Sequence, residues 1–175
     1  MSWTELLTGE METAYPVADG LIGLVDERGL DWKPATGANW MTMGQLLMHI
    51  ATACGQPCKG LLTGDWGLPE GVRMEDLPAE AMLPPAETLP AVESLDHARR
   101  LLAEDRALAL QMVAAAGETE LAGRMMTVPW SPQDAQVLGL HMLHMIDHLN
   151  SHKAQLFYYL KLQGKPVGTE QLWGP

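Results

Sequence analysis

Four of the six histidines lie close together in the chain, at His141, His144, His148 and His152. In an α-helix, spacings of three and four residues place side chains on the same face. A row of imidazoles on one helix face is typical of a metal site, because neutral imidazole binds zinc, nickel and other divalent ions. The alternative is a polar seam of hydrogen-bonded or exposed histidines. We favour the metal site, since each buried polar group without a partner costs about 1–3 kcal/mol.

Two histidines four residues apart can bind one ion together, and both His144/His148 and His148/His152 have this spacing. An ion held between His148 and His152 lies about 9 Å along the helix axis from His144, which is too far for a third ligand. Only one of the two pairs can therefore bind the ion, and the spacing alone does not decide which. The remaining protein ligand must come from another helix, and His49 is the histidine left on a predicted apolar face.

Capping patterns and hydrophobic periodicity predict four helices and almost no strand. The predicted helices run from Ser2 to about Asp26, from Thr42 to Gly64, from Ser94 to Gly117 and from Ser131 to Gln163. We expect Pro16 to kink or split the first helix and Pro57 to bend or end the first part of the second. Arg124 to Pro129 is predicted to form a brief extended piece. The fold class is therefore all-α, a four-helix bundle.

Residues 65–93 are rich in proline and acidic side chains and are predicted to form a long, mostly irregular connection between helices 2 and 3. A connection of this length allows helix 3 to run parallel to helix 2, and it can also cover one end of the bundle. The chain of 175 residues fits a single domain, 1–175.

Composition argues against several classes of protein. A formal net charge of −11 disfavours nucleic acid as a partner, since phosphate binding requires an excess of lysine and arginine. No uninterrupted apolar stretch is long enough for a membrane span, and the first residues do not have the pattern of a signal peptide. Two cysteines, Cys54 and Cys58, are too few for a secreted disulfide framework, so we expect buried thiols and a cytoplasmic location.

Two segments carry a resemblance to a known family. They are Trp40-Met-Thr-Met-Gly-Gln-Leu-Leu-Met-His49 and His148-Leu-Asn-Ser-His152-Lys-Ala-Gln155, the latter continuing to Gly164. The chain resembles the DinB-like (YfiT-type) four-helix-bundle metalloproteins, which have a histidine in helix 2 and a His-x-x-x-His pair in the last long helix. The resemblance selects His49, His148 and His152 as metal ligands. The chain departs from the family pattern at two places. His152-Lys-Ala-Gln155 stands where the family often has His-Arg-Gly-Gln, and His141 and His144 are additional histidines on the same helix face.

The resemblance implies an up-down-down-up bundle, a homodimer, and a zinc or nickel ion with water at an open position. Related proteins include thiol S-transferases, thiol-dependent isomerases and metal-dependent hydrolases. We therefore expect a metal-dependent thiol S-transferase or hydrolase that acts on a small molecule, with a low-molecular-weight thiol as a candidate cosubstrate. His144 is a candidate for proton transfer or for hydrogen bonding to a ligand. Asp147 is a weaker one, since it points about 100° away from His148.

The alternative is a non-catalytic bundle, metal-binding or stress-related, that works through its surface or its dimer face.

Overall fold

A computed structural model describes residues 1–82 and 84–174. Leu83, in the predicted connection, and Pro175, at the end of the predicted domain, lie outside the described residues. The described part of the chain is mostly helical, which confirms the predicted class, and it has one small two-stranded sheet. The elements are α1 (Trp3–Ile22), α2 (Met43–Ile50), α3 (Gly55–Thr63), α4 (Ala79–Met82), α5 (Leu95–Gly123), β1 (Met125–Val128), β2 (Ser131–Val137), α6 (Leu138–Leu162) and α7 (Thr169–Trp173).

The first helix begins where its capping box predicts. The Ser2 hydroxyl accepts a hydrogen bond from the Glu5 amide, and the Glu5 carboxylate accepts one from the Ser2 amide. Pro16 does not split α1, which runs through it and ends at Ile22 instead of near Asp26.

The second predicted helix is interrupted earlier than Pro57 indicates. Thr42 and Gln45 form the predicted capping box, but α2 ends at Ile50 and α3 begins at Gly55. Pro57 lies in the first turn of α3, where a missing amide proton costs little. Gly64 ends α3 in a left-handed conformation, with φ of 77°.

A buried carboxylate from α5 holds this interruption in place. Asp105 accepts hydrogen bonds from the backbone amides of Cys54, Gly55 and Gln56, at 3.3, 2.9 and 3.0 Å. Position 55 has no room for a side chain, because a Cβ there would collide with the Asp105 carbonyl. The hydroxyl of Tyr15 donates a fourth hydrogen bond to Asp105, at 2.7 Å. The interruption is therefore fixed by tertiary contacts and not by a local sequence signal.

The largest difference from prediction lies before the last long helix. The serine, proline and aspartate at Ser131–Asp134 resemble a helix start, but residues 131–137 form β2, and α6 begins only at Leu138. Strand β2 pairs antiparallel with β1, with Met125 opposite Val137 and Val128 opposite Ser131. The predicted extended piece before Pro129 is thus confirmed, and its pairing with residues 131–137 overrides the local helix signal.

Helix α5 begins at the predicted Ser94 cap and continues beyond its predicted end. Gly117 has φ of 65° and is not helical, yet the helix resumes and reaches Gly123. Where the structure describes it, the connection 65–93 contains only short helical turns and α4, as predicted. Its second half packs against α2, where the Gln45 side-chain amide donates to the carbonyls of Glu87 and Leu89.

The core lies where α1, α2, α3, α5 and α6 meet, and it contains Leu7, Met11, Tyr15, Leu46, Leu47, Ile50, Leu61, Leu121, Ile146, Leu149 and Tyr159. Both cysteines are free and buried, as expected. None of the helices in the described part of the chain has the length and apolar character needed to span a membrane.

Candidate metal centre

The three predicted ligands lie close together between α2 and α6. His49 lies in the last turn of α2, and His148 and His152 lie one turn apart on α6. One potential ligand atom from each residue can be chosen so that all three lie within 4.8 Å of one another. The Nε2 atoms of His49 and His148 are 3.0 Å apart. Two nitrogen ligands of a tetrahedral zinc ion keep about 3.3 Å between them, so the residues fit a metal ion.

Hydrogen bonds at the far side of two rings support this fit. The Nδ1 atom of His148 is 3.2 Å from the Ala53 carbonyl oxygen, and Nδ1 of His152 is 3.0 Å from the Gln155 side-chain oxygen. Oxygens of this kind accept hydrogen bonds, so each Nδ1 carries the proton and each Nε2 keeps a free lone pair. Partners that fix the tautomer in this way are typical of metal-binding histidines.

Both hydrogen-bond acceptors are themselves held in place. Ala53 lies in the interruption between α2 and α3, next to the backbone amides that Asp105 binds. The Gln155 side-chain amide donates to the Tyr159 hydroxyl, and that hydroxyl donates to the Met41 carbonyl. The ring orientations of His148 and His152 therefore depend on the fold around them as well as on α6.

The surroundings of the site favour neutral imidazoles. Burial, followed by the nearby rings of His152 and His148, lowers the pKa of His49 from its ordinary value of 6.5 to about 4. Burial is also the largest cause that lowers the pKa values of His148 and His152. Neutral rings are the form that binds metal, so the site is ready for an ion at neutral pH.

Acid is expected to destabilise the metal-free protein from about pH 6.5 downwards. The pKa of His49 is lowered from 6.5 to about 4 in the folded protein. Between these two pH values the unfolded chain binds more protons than the folded chain, so acid favours unfolding. Urea midpoints measured in the presence of a chelator should fall more steeply for the wild type than for His49→Leu. Equal slopes for the two proteins would contradict the prediction.

The other two histidines of the row lie away from this point. His141 is buried, and its Nε2 atom donates to the Met126 carbonyl at 2.9 Å, which ties α6 to β1. His144 is exposed, and both residues line a small cavity with Trp130 and Asp134, next to the cavity at the other three histidines, which Trp130 also lines. The part proposed for His144 in proton transfer stays a prediction.

Asp147 is also exposed, and it lines a different cavity, with Glu10 and Lys153.

The three histidines open onto a cavity of about 500 Å³. Part of its wall comes from the connection, through residues that include Met82, Ala86 and Leu89. Trp130, in the turn between the strands, and Met145, on α6, complete the side near the histidines. Residues of the connection therefore form part of this cavity wall, and the expectation that the connection covers one end of the bundle stays a prediction. The sequence signalled neither this wall nor the Ala53 carbonyl.

The chain is thus mostly helical and brings three histidines from two helices together in a cluster that could hold a metal ion. The family model of the DinB superfamily matches residues 10–156, and the chain belongs to this superfamily. The family resemblance found in the sequence is thus confirmed. Comparison with the curated proteins gave no match, and neither did comparison with the solved structures.

Proposed function

We propose that this protein is a metal-dependent enzyme, of the thiol S-transferase or hydrolase type, that acts on a small molecule. One divalent ion, zinc or nickel, would be held by His49, His148 and His152. The observation that supports this most is the convergence of the three ligand atoms within 4.8 Å at the wall of a cavity of about 500 Å³. Three protein ligands leave a coordination position open, as catalytic sites require.

The bound ion would supply a Lewis acid that lowers the pKa of a coordinated water or thiol. The chain's own residues would hold and shield it. His148 and His152 keep Nε2 unprotonated through their hydrogen bonds to Ala53 and Gln155. The side chains of Trp130 and Met145 would exclude bulk water from one side of the site. His144, exposed one helical turn before His148, is the residue we propose for proton exchange with solvent.

The proposal includes an up-down-down-up bundle for the long helical segments. Its support is the connection 65–93 between α3 and α5, together with the packing of α1 against α5 and α6 and of α2 against α6. A homodimer in the cytoplasm is also part of the proposal.

Metal analysis of the purified protein is expected to give about one ion per chain. X-ray absorption should then show scattering from three imidazole rings of the protein and from one oxygen ligand of the solvent, and the loaded protein should turn over substrates in a panel of thiols and activated esters. An absent ion, or a coordination shell closed by a fourth protein ligand, would contradict the enzymatic proposal. A loaded protein without turnover would favour the alternative of a non-catalytic bundle that works through its acidic surface or its dimer face.

A further inference from the structure

We infer that this site takes a small molecule with an uncharged, largely apolar body and one metal-binding donor atom at its end. The inference rests on the proposed metal-dependent function and names the substrate class of the same site. It is carried by the chemistry of the cavity wall, by the charge of the whole chain and by a contrast with a second cavity.

The wall around the three histidines is apolar. Its side chains include Met41, Leu89, Trp130 and Met145, with two prolines, and among the described lining residues there is no Asp, Glu, Lys or Arg. Apart from the histidines, the polar side chain among the described lining residues is Asn39, whose oxygen already accepts a hydrogen bond from the Ala86 amide at 2.7 Å. An ionised group on the body of a ligand would lose its hydration here without gaining a counter-charge, which is costly.

Three neutral ligands would leave the full charge of a divalent ion at the inner end of the cavity. The donor atom of the ligand can therefore be neutral or anionic, since the ion compensates it directly. The rest of the ligand meets no such charge among the described lining residues. In addition, the chain has a net charge of −11, so its field disfavours the approach of multiply charged anions. Both effects favour a ligand that has a neutral body and a single donor atom for the metal ion.

A second cavity shows that the absence of charge is local to this site. Glu10, Asp147 and Lys153 line a cavity of about 340 Å³ that also contacts α7. The protein thus places both acidic and basic groups in a concave surface of comparable size, on a face that holds none of the three histidines. The uncharged wall is therefore a specific property of the cavity at the metal centre, and its volume suits an organic ligand of ordinary drug-like size.

Three ligands with the same donor atom can test the inference on the cobalt(II)-loaded protein: 1-methylimidazole, 1-benzylimidazole and imidazol-1-ylacetate. Changes in the visible cobalt spectrum report binding at the open position. We expect 1-benzylimidazole to bind about ten- to a hundredfold more tightly than 1-methylimidazole, because the cavity buries its ring. Imidazol-1-ylacetate should bind more weakly than 1-methylimidazole, since its carboxylate has no partner in the wall.

Two leucine variants localise the effect. Leu89→Lys places a charge in the wall and should reduce the preference for the benzyl ligand while strengthening binding of the acetate. Leu172→Lys is the matched control, because Leu172 is also half-buried but lines the second cavity. It should leave all three affinities unchanged.

The comparison of the three imidazole ligands is made on the wild-type protein, so it remains valid even if one of the leucine variants folds poorly. Failure of cobalt(II) to bind would overturn the proposed function and this inference with it. Cobalt binding with equal affinity for the three ligands, or with tightest binding of the acetate, would overturn the substrate class alone.

Discussion

Replacing His148 with alanine is expected to lower the affinity for zinc or nickel by more than about a hundredfold. Loss of a hydrogen-bond partner of a ligand typically lowers metal affinity ten- to a hundredfold, and this variant would remove a proposed ligand itself. His148 also lies close to both other ligands, with its ring centroid 4.9 Å from that of His49 and 4.8 Å from that of His152. Competition titrations against a chromophoric chelator would measure the change.

His144→Ala is the matched control for this experiment. His144 lies on the same helix, one turn before His148, and it is exposed. The variant should bind the ion as tightly as the wild type does. If His144→Ala loses the ion as fully as His148→Ala, then the ligands are the His144/His148 pair, which the sequence spacing alone also allows.

Much of the site could be predicted because its signals are local. The spacing of His148 and His152 fixes their common face as soon as the segment is helical. The capping residues Ser2, Thr42 and Ser94 each bind a backbone amide three residues later, and all three mark real helix starts. Choosing His148/His152 over His144/His148, however, required the resemblance to a family. The structure brings His49 next to the second pair and leaves His144 exposed, and the choice of ligands itself stays a prediction.

The parts that could not be predicted depend on contacts between distant residues. Ser131 and Pro132 have the local features of a helix start, but their segment pairs with β1 and becomes a strand. The interruption after Ile50 has no proline to mark it, because the group that stabilises it is a carboxylate on α5. Likewise, the Ala53 carbonyl is a backbone group, and no sequence pattern marks it as the partner of a histidine.

Replacing Asp105 with alanine is expected to lower the free energy of unfolding by about 3–5 kcal/mol. Asp105 is 4% exposed, and its carboxylate accepts three backbone amide protons and the hydroxyl proton of Tyr15. Burial raises the pKa of Tyr15, so its hydroxyl remains a donor at all moderate pH values. The variant leaves these donors without their acceptor in the interior, which is more costly than losing a bond at the surface.

Urea denaturation of the metal-free proteins would measure this loss, with Glu104→Ala as the matched control. Glu104 is the neighbouring acid on α5, but it is exposed, and its nearest cation, Arg100, lies 3.8 Å away at the surface. Exposed pairs of this kind contribute at most about 1 kcal/mol, so Glu104→Ala should unfold close to the wild-type midpoint. If the two variants have the same midpoint, Asp105 does not hold the interruption between α2 and α3. The Ala53 carbonyl, and with it the orientation of His148, would then depend on other contacts.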